Sequence, residues 1–164
     1  MRTFVLAALL TFLIFNAQAQ NYKLYNVFMF SFTRYVQWPD EANKGDFEIA
    51  VLGDSPIFEE LKAMAEIKKV GTRTIKVTKV KSVAELKKTH MLFVSKNKLD
   101  AMDDIAAKLG QSPTLIITEQ PGTKKSGINF FDKGGKLAFE LSNASLADHG
   151  LRASSELTRI AILI

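Results

Sequence analysis

The sequence predicts a single α/β domain, with a mixed, mostly parallel sheet, helices on both faces, and a C-terminal β-hairpin plus helices. Apolar runs typical of strands alternate with amphipathic helical patterns along the chain. Two of these runs, Met91–Ser95 and Thr114–Thr118, are short and continuously apolar except at their ends. Such runs are typical of parallel strands that are buried on both faces. The segment Asp132-Lys133-Gly134-Gly135 joins two late strands and is typical of a hairpin turn, which makes the sheet mixed.

The first predicted element of the domain is a helix over Asn21–Trp38, ended by Pro39. Tyr25, Phe28, Phe32 and Tyr35 follow the spacing of one helical face. The later predictions, in order, are strand Phe47–Gly53, helix Ile57–Lys68, strand Thr74–Val80, a short helix near Ser82–Lys87, strand Met91–Ser95, helix Leu99–Leu109, strand Thr114–Thr118, a loop over Glu119–Gly127, strands Ile128–Phe131 and Leu137–Leu141, and helices Asn143–His149 and Ser154–Leu163.

Residues 1–19 have the pattern of a cleaved secretory signal peptide. Arg2 is followed by an uncharged, mostly apolar run over Phe4–Phe15 and by the cleavage pattern Ala17-Gln18-Ala19. A membrane span needs about 20 apolar residues, so this run is too short to be a retained anchor. We therefore expect residues 20–164 to form an exported domain that lies outside the cytoplasm.

The composition excludes several classes of site. The chain has no Cys and two His, which excludes disulfides, thiolate metal sites and cysteine nucleophiles. It contains no glycine-rich phosphate-binding loop, no G-x-S-x-G motif and no H-E-x-x-H motif. We therefore expect no catalytic residues, no metal and no cofactor. Export and the dispersed basic residues also argue against binding to nucleic acid.

Six segments, in order, resemble the YfiR/HmsC family of periplasmic regulatory proteins. They are Phe32-Thr33-Arg34-Tyr35-Val36-Gln37-Trp38-Pro39, Phe47–Pro56, Arg73-Thr74-Ile75-Lys76-Val77, His90–Ser95, the hairpin strands Gly127–Phe130 and Leu137–Leu141, and Gly150–Leu157.

This resemblance implies a periplasmic α/β regulator without enzymatic activity. Members of the family restrain a membrane-bound signalling protein, typically a diguanylate cyclase, by binding its periplasmic sensor domain, and related domains occur in sensor kinases. Release of that restraint raises cyclic di-GMP and promotes biofilm formation. Ala50 and Thr89 occupy positions where other members often carry Cys, so redox control through those residues is not available here.

Five residues are candidates for binding a small ligand. Asp54 and Ser55 lie in a turn between a strand and a helix, where anions often bind; the alternative is an ordinary helix cap, with Ser55 before Pro56. Arg73 and Arg152 are able to bind a carboxylate or phosphate, or to pair with surface acids. His90 opens a buried strand, where a hydrogen-bonded, partly buried imidazole is the alternative to a ligand or base.

Partner binding is predicted for aromatic residues of the first helix. Seven aromatic side chains fall within residues 22–38, and they do not all fit on one helical face. Either the helix is buried on two sides, or one aromatic side contacts a partner or a second copy of the chain. Tyr25, Phe30, Tyr35 and Trp38 are the candidates.

Two other functions remain open at this stage. The first is a periplasmic small-ligand or cell-wall binding protein that uses the turn Gly53–Pro56. The second is an exported hydrolase that uses Asp54, Ser55 and His90. Lys124, Lys125, Lys133 and Lys136 form a basic region that either is a solvated loop or attracts an acidic partner.

Overall fold

The structure, a computed structural model, describes residues 22–164, so the predicted leader lies outside the described residues. Its elements are α1 (22–35), β1 (Val36–Gln37), β2 (Phe47–Leu52), α2 (Ile57–Ile67), β3 (Lys69–Val70), β4 (Arg73–Val80), β5 (Met91–Val94), α3 (Met102–Leu109), β6 (Leu115–Thr118), β7 (Ile128–Asp132), β8 (Leu137–Leu141), α4 (Asn143–Asp148), β9 (Arg152–Ala153), α5 (Ser155–Ile160) and β10 (Ile162–Leu163). Short 3₁₀ helices occupy Asp40–Ala42, Val83–Glu85 and Lys96–Ala101.

Eight strands form the main sheet in the order β10-β8-β7-β6-β5-β2-β4-β3. The pairs from β7 through β6, β5 and β2 to β4 are all parallel, whereas β7–β8 and β3–β4 are antiparallel. The predicted mixed, mostly parallel sheet is therefore confirmed. The strand order reverses at β2, because the chain first adds β4 on one side and then β5 on the other.

Alternating strand residues divide the core between the two faces of the sheet. Ile49 and Val51 of β2 pack on the face covered by α1, α2, α4 and α5, whereas Ala50 and Leu52 pack on the face covered by α3. Strand β4 is divided in the same way, because Ile75 lies in the first cluster and Val80 in the second. Helices on both faces are thus a consequence of the strand pattern.

Two predicted helices are too long. The first helix ends at residue 35, and Val36–Gln37 is instead extended and pairs antiparallel with Arg152–Ala153. The last predicted helix ends at Ile160, and Ile162–Leu163 forms an edge strand parallel to β8. In both cases a distant partner strand offers backbone hydrogen bonds that outweigh the local helical pattern.

Other differences are local. The predicted short helix near Ser82–Lys87 is a single 3₁₀ turn over Val83–Glu85, and β3 is a strand that the sequence did not indicate. Ser55 does cap α2: its Oγ accepts a hydrogen bond from the Ile57 backbone N–H at 3.4 Å, and its carbonyl accepts one from the Phe58 N–H at 3.2 Å.

Candidate functional site

The five predicted ligand-binding residues do not converge on one site. Asp54 and Ser55 follow the carboxyl end of β2, whereas Arg73 and His90 lie at the amino ends of β4 and β5. Arg152 is in the small β1–β9 sheet, opposite Gln37. At about 3.3 Å per strand residue, roughly 20 Å separates Ser55 from His90. The hydrolase arrangement of Asp54, Ser55 and His90 is therefore wrong.

At the amino edge of the sheet, Arg73 binds backbone carbonyls. Its Nε donates to the Gly45 carbonyl at 2.7 Å, and one terminal nitrogen donates to those of Asp46 at 3.0 Å and Ala42 at 3.2 Å. The guanidinium carbon also lies 5.3 Å from the centre of the Phe47 ring. The sequence predicts that Arg73 binds a carboxylate or phosphate, or pairs with surface acids. These contacts match neither alternative, because the guanidinium binds backbone carbonyls and holds the loop before β2.

His90 completes the same amino-edge cluster. The Glu48 backbone N–H donates to Nδ1 at 3.0 Å, so the hydrogen-bond network assigns the proton to Nε2, which donates to the Ala42 carbonyl at 2.7 Å. Nε2 also lies 2.8 Å from a terminal nitrogen of Arg73, which is itself a donor. Burial lowers the pKa of His90, and the adjacent Arg73 charge lowers it further.

This cluster borders an open cavity of about 580 Å³. The cavity wall carries side chains of both charges, the acidic Glu41 and Asp46 and the basic Lys44 and Lys88 among them. Both ring nitrogens of His90 already have backbone partners, and Trp38 donates from Nε1 to the His90 carbonyl at 3.3 Å. For His90 the sequence left two alternatives, a ligand or base and a hydrogen-bonded, partly buried imidazole. These contacts are those of the second alternative.

A second crevice lies at the carboxyl ends of β2, β4 and β5, where the strand order reverses. We call it the carboxyl-edge crevice; it has a volume of about 330 Å³ and is lined by Gly53, Asp54, Lys79, Lys81, Asn97 and Lys98. Such reversal points are the usual ligand sites of open α/β sheets. The Asp54 carboxylate forms an ion pair with Lys79 at 2.6 Å. The hydrogen bond and charge of Lys79, and the charges of Lys81 and Lys98, lower the pKa of Asp54.

Sequence reasoning missed a buried carboxyl group farther along the same edge. Glu119 follows β6 and is 8 % exposed, and the Tyr22 hydroxyl donates to its Oε2 at 2.9 Å. Burial raises the pKa of Glu119, and burial together with the Glu119 charge raises the pKa of Tyr22 to about 12. The pair comes from residues that are 97 positions apart, so no local pattern in the sequence signals it.

The loop predicted over Glu119–Gly127 is held by a buried amide. Asn129 Oδ1 accepts hydrogen bonds from Thr118 at 2.6 Å and Ser126 at 2.5 Å, and its Nδ2 donates to Glu140 at 3.0 Å. Within the predicted basic region, Lys125 pairs with Asp103 of α3 at 2.6 Å. These contacts fix the loop against β7, β8 and α3.

The four candidate partner-binding residues lie in different environments. Tyr25 is 8 % exposed and stacks on Phe130 with the ring centres 4.5 Å apart, and Trp38 packs edge-on against Phe47 at 5.4 Å. Phe30 is partly buried and packs against the core cluster on this face of the sheet. Tyr35, in contrast, is 39 % exposed. The first helix therefore buries aromatic rings on its inner side and keeps others at its margins.

The outer face of α1 carries exposed apolar residues. Val27 is 61 % exposed and Leu24 is 41 % exposed, and Ile67 at the end of α2 is 78 % exposed. The Phe30 ring lies beneath two cations, with Arg34 at 5.4 Å and Lys68 at 5.7 Å from its centre. We call Leu24, Val27, Phe30, Arg34, Ile67 and Lys68 the α1 surface; it is apolar at its centre and basic at its rim.

Within residues 22–164 there is no group of three His, Asp or Glu side chains able to hold a metal ion. No helix in that same range is long and apolar enough to cross a membrane.

Comparison with known proteins places residues 22–162 within one family. The family model that matches them is described as YfiR/HmsC-like, and it covers nearly the whole chain. No curated protein matches the chain.

Proposed function

Because the chain belongs to the YfiR/HmsC-like family, a regulatory and non-catalytic family of the periplasm, we propose that it binds and restrains the periplasmic sensor domain of a membrane signalling protein. A diguanylate cyclase is the proposed partner, and a sensor kinase is the alternative. The observation that carries the proposal is the family membership. The α1 surface supports it, because it offers an exposed apolar area with no partner among residues 22–164.

The helical geometry of α1 separates its inner and outer sides. At 100° per residue, the buried Tyr25, Met29 and Phe32 lie within a narrow arc, and Val27 and Arg34 lie nearly opposite them. Leu24 and Val27, three residues apart on this outer side, are both apolar and exposed, and contiguous exposed apolar area often marks a binding site. The proposed contact area is therefore centred on Val27.

Charge indicates what the partner carries. Arg34 and Lys68 lie 5.4 Å and 5.7 Å from the centre of the Phe30 ring, and Lys69 lines the same groove. Glu66 is the one acidic residue in the lining of that groove. A basic rim around an apolar centre fits a partner surface with apolar anchors and acidic neighbours. We propose an extracytoplasmic segment of that composition.

Photo-cross-linking in cells tests this proposal. A photoreactive amino acid is placed at Val27 in the full chain, and the matched control places it at Lys108, which is exposed on α3 across the sheet. We expect the Val27 probe, and not the Lys108 probe, to form an adduct with an integral-membrane signalling protein. Adding Ile67→Asp should abolish that adduct.

A second measurement reads the regulation itself. Deleting the gene should raise cellular cyclic di-GMP, the wild-type chain should lower it again, and Val27→Asp should fail to do so while keeping a wild-type melting temperature. Equal adducts from both probe positions, or full restoration by Val27→Asp, would contradict the proposal. An adduct of twice the chain mass would assign the α1 surface to a homodimer instead.

A further inference from the structure

The carboxyl-edge crevice has an excess of positive charge, contributed by the end of β4 and by the segment after β5. Lys79 is at the end of β4, Lys81 directly follows β4, and Lys98 is in the 3₁₀ helix after β5. Asp54 is the one acidic residue in the lining. Three ammonium groups against one carboxylate leave two positive charges around a space of about 330 Å³.

Asp54 neutralises only part of this positive charge. Its side chain is 83 % exposed, and its ion pair is with Lys79 alone at 2.6 Å. Among residues 22–164, Lys81 and Lys98 form no ion pair. Glu85 is close to Lys81, but its carboxylate accepts hydrogen bonds from the Lys81 backbone N–H at 3.1 Å and from Ser82 at 3.2 Å.

A ligand here would be held by side chains rather than by backbone N–H groups. The Gly53 N–H already donates to the Val80 carbonyl, and the Lys98 N–H donates to that of Ser95, both at 2.9 Å. Ser95 Oγ lies 2.6 Å from Asn97 Oδ1 and 2.7 Å from the Leu52 carbonyl, so its single proton is shared between two acceptors. With Oδ1 turned toward Ser95, the amide nitrogen of Asn97 is a donor for a ligand.

We propose that the carboxyl-edge crevice binds a phosphate group, with Lys79, Lys81 and Lys98 as the cationic partners and Asn97 as a neutral donor. A phosphate dianion matches the two excess positive charges, and Lys binds phosphate as a point charge without fixed geometry. The site lies at the reversal of strand order, where the ends of parallel strands diverge and leave space. This binding does not depend on the proposed partner or on the α1 surface.

Amide NMR titration of the exported chain (residues 20–164) with inorganic phosphate tests the site. The titration is run at pH 7.5 and constant ionic strength, with glycerol 3-phosphate as a second probe. We expect saturable shifts centred on Gly53, Asp54 and Asn97. Equal affinity for both probes shows that the phosphate group alone is recognised, and tighter binding of the ester shows that its organic part also makes contacts; either result supports the site.

Charge variants give effects of opposite sign. Lys81→Gln and Lys98→Gln should each weaken phosphate binding roughly 1.5- to 5-fold, as expected for exposed charge pairs. Asp54→Asn should strengthen it by a similar factor, because the carboxylate no longer occupies Lys79. Lys133→Gln, in the exposed β7–β8 turn, is the matched control and should have no effect.

Three results would overturn the inference. They are shifts that do not saturate, shifts spread over lysines throughout the chain, and equal affinities for Lys81→Gln, Lys98→Gln and Lys133→Gln. Weaker binding by Asp54→Asn would likewise contradict it. The amide spectrum of each variant shows directly whether the fold is retained.

Discussion

Replacing Gly53 with Ala should destabilise the domain far more than an ordinary glycine substitution. Gly53 has a φ of +88°, a conformation that L side chains rarely adopt. A Cβ at this position would overlap Ser95 Oγ and lie 2.7 Å from both Asn97 Oδ1 and Lys98 Cγ. The Ser95 hydroxyl is buried and shares its proton between the Leu52 carbonyl at 2.7 Å and Asn97 Oδ1 at 2.6 Å, so it has little freedom to move.

The cost has three components. The positive φ accounts for about 1–2 kcal/mol. Displacing Ser95 loses a hydrogen bond worth about 0.5–1.5 kcal/mol, and overpacking adds about 1–3 kcal/mol. We therefore expect Gly53→Ala to lower the free energy of unfolding by roughly 3–6 kcal/mol, a large part of the ~5–15 kcal/mol typical of a domain.

Urea unfolding followed by circular dichroism measures this loss. Gly71→Ala is the matched control: its φ is +61°, and an added Cβ would meet nothing within 4 Å, so it should cost only about 1–2 kcal/mol. The double variant Gly53→Ala/Ser95→Ala should be more stable than Gly53→Ala alone, because the overlapping oxygen is gone. Equal losses for Gly53→Ala and Gly71→Ala would refute the steric reasoning.

Three further predictions concern polar side-chain contacts. Arg73→Lys should destabilise the domain by about 2 kcal/mol, because one ammonium does not replace all the hydrogen bonds that the guanidinium donates to the Gly45, Asp46 and Ala42 carbonyls. Partial exposure of the site limits the loss, and a loss below about 0.5 kcal/mol in urea unfolding would argue against this reasoning. The folded-state pKa of His90 is lowered, so the contribution of His90 to stability is full above pH 6.5 and is lost as the pH falls through the folded-state pKa. In His90→Asn the side-chain Oδ1 still accepts from the Glu48 backbone N–H, and this variant should flatten that part of the curve of stability against pH. An unchanged slope would contradict the assignment. Tyr22→Phe should lower the free energy of unfolding by about 1–3 kcal/mol at neutral pH, and by less at low pH, where Glu119 is protonated. A loss of stability that does not depend on pH would show that the hydrogen bond to the Glu119 carboxylate is not responsible for it.

The sequence predicted the elements whose periodicity is long or unambiguous. The buried strands β5 and β6, the hairpin β7–β8 and the helix α2 appear within one or two residues of the predicted bounds. The short strands β1, β3, β9 and β10 were missed. Each has two residues, too few for a period, and each exists because a distant strand supplies its hydrogen bonds.

Individual site residues could be predicted, but their grouping could not. The sequence singled out Arg73 and His90 as chemically notable, and the structure brings them to 2.8 Å, although their partners are backbone carbonyls and an N–H rather than a ligand. Lys79, Lys81 and Lys98 are ordinary charged residues in the sequence. They become a cluster because parallel strands place all their carboxyl ends at one edge of the sheet.

By itself the sequence determined the α/β class, the expectation of an exported domain without thiol chemistry, and the family resemblance, since these follow from composition, periodicity and ordered motifs. Only the tertiary structure decided which predicted residues share a site, which aromatic rings of α1 are buried, and where uncompensated charge and exposed apolar area remain. The physical reason is that contacts such as Tyr22 with Glu119 and Trp38 with His90 join residues 97 and 52 positions apart. Their energies depend on distance and burial in three dimensions, which no local pattern contains.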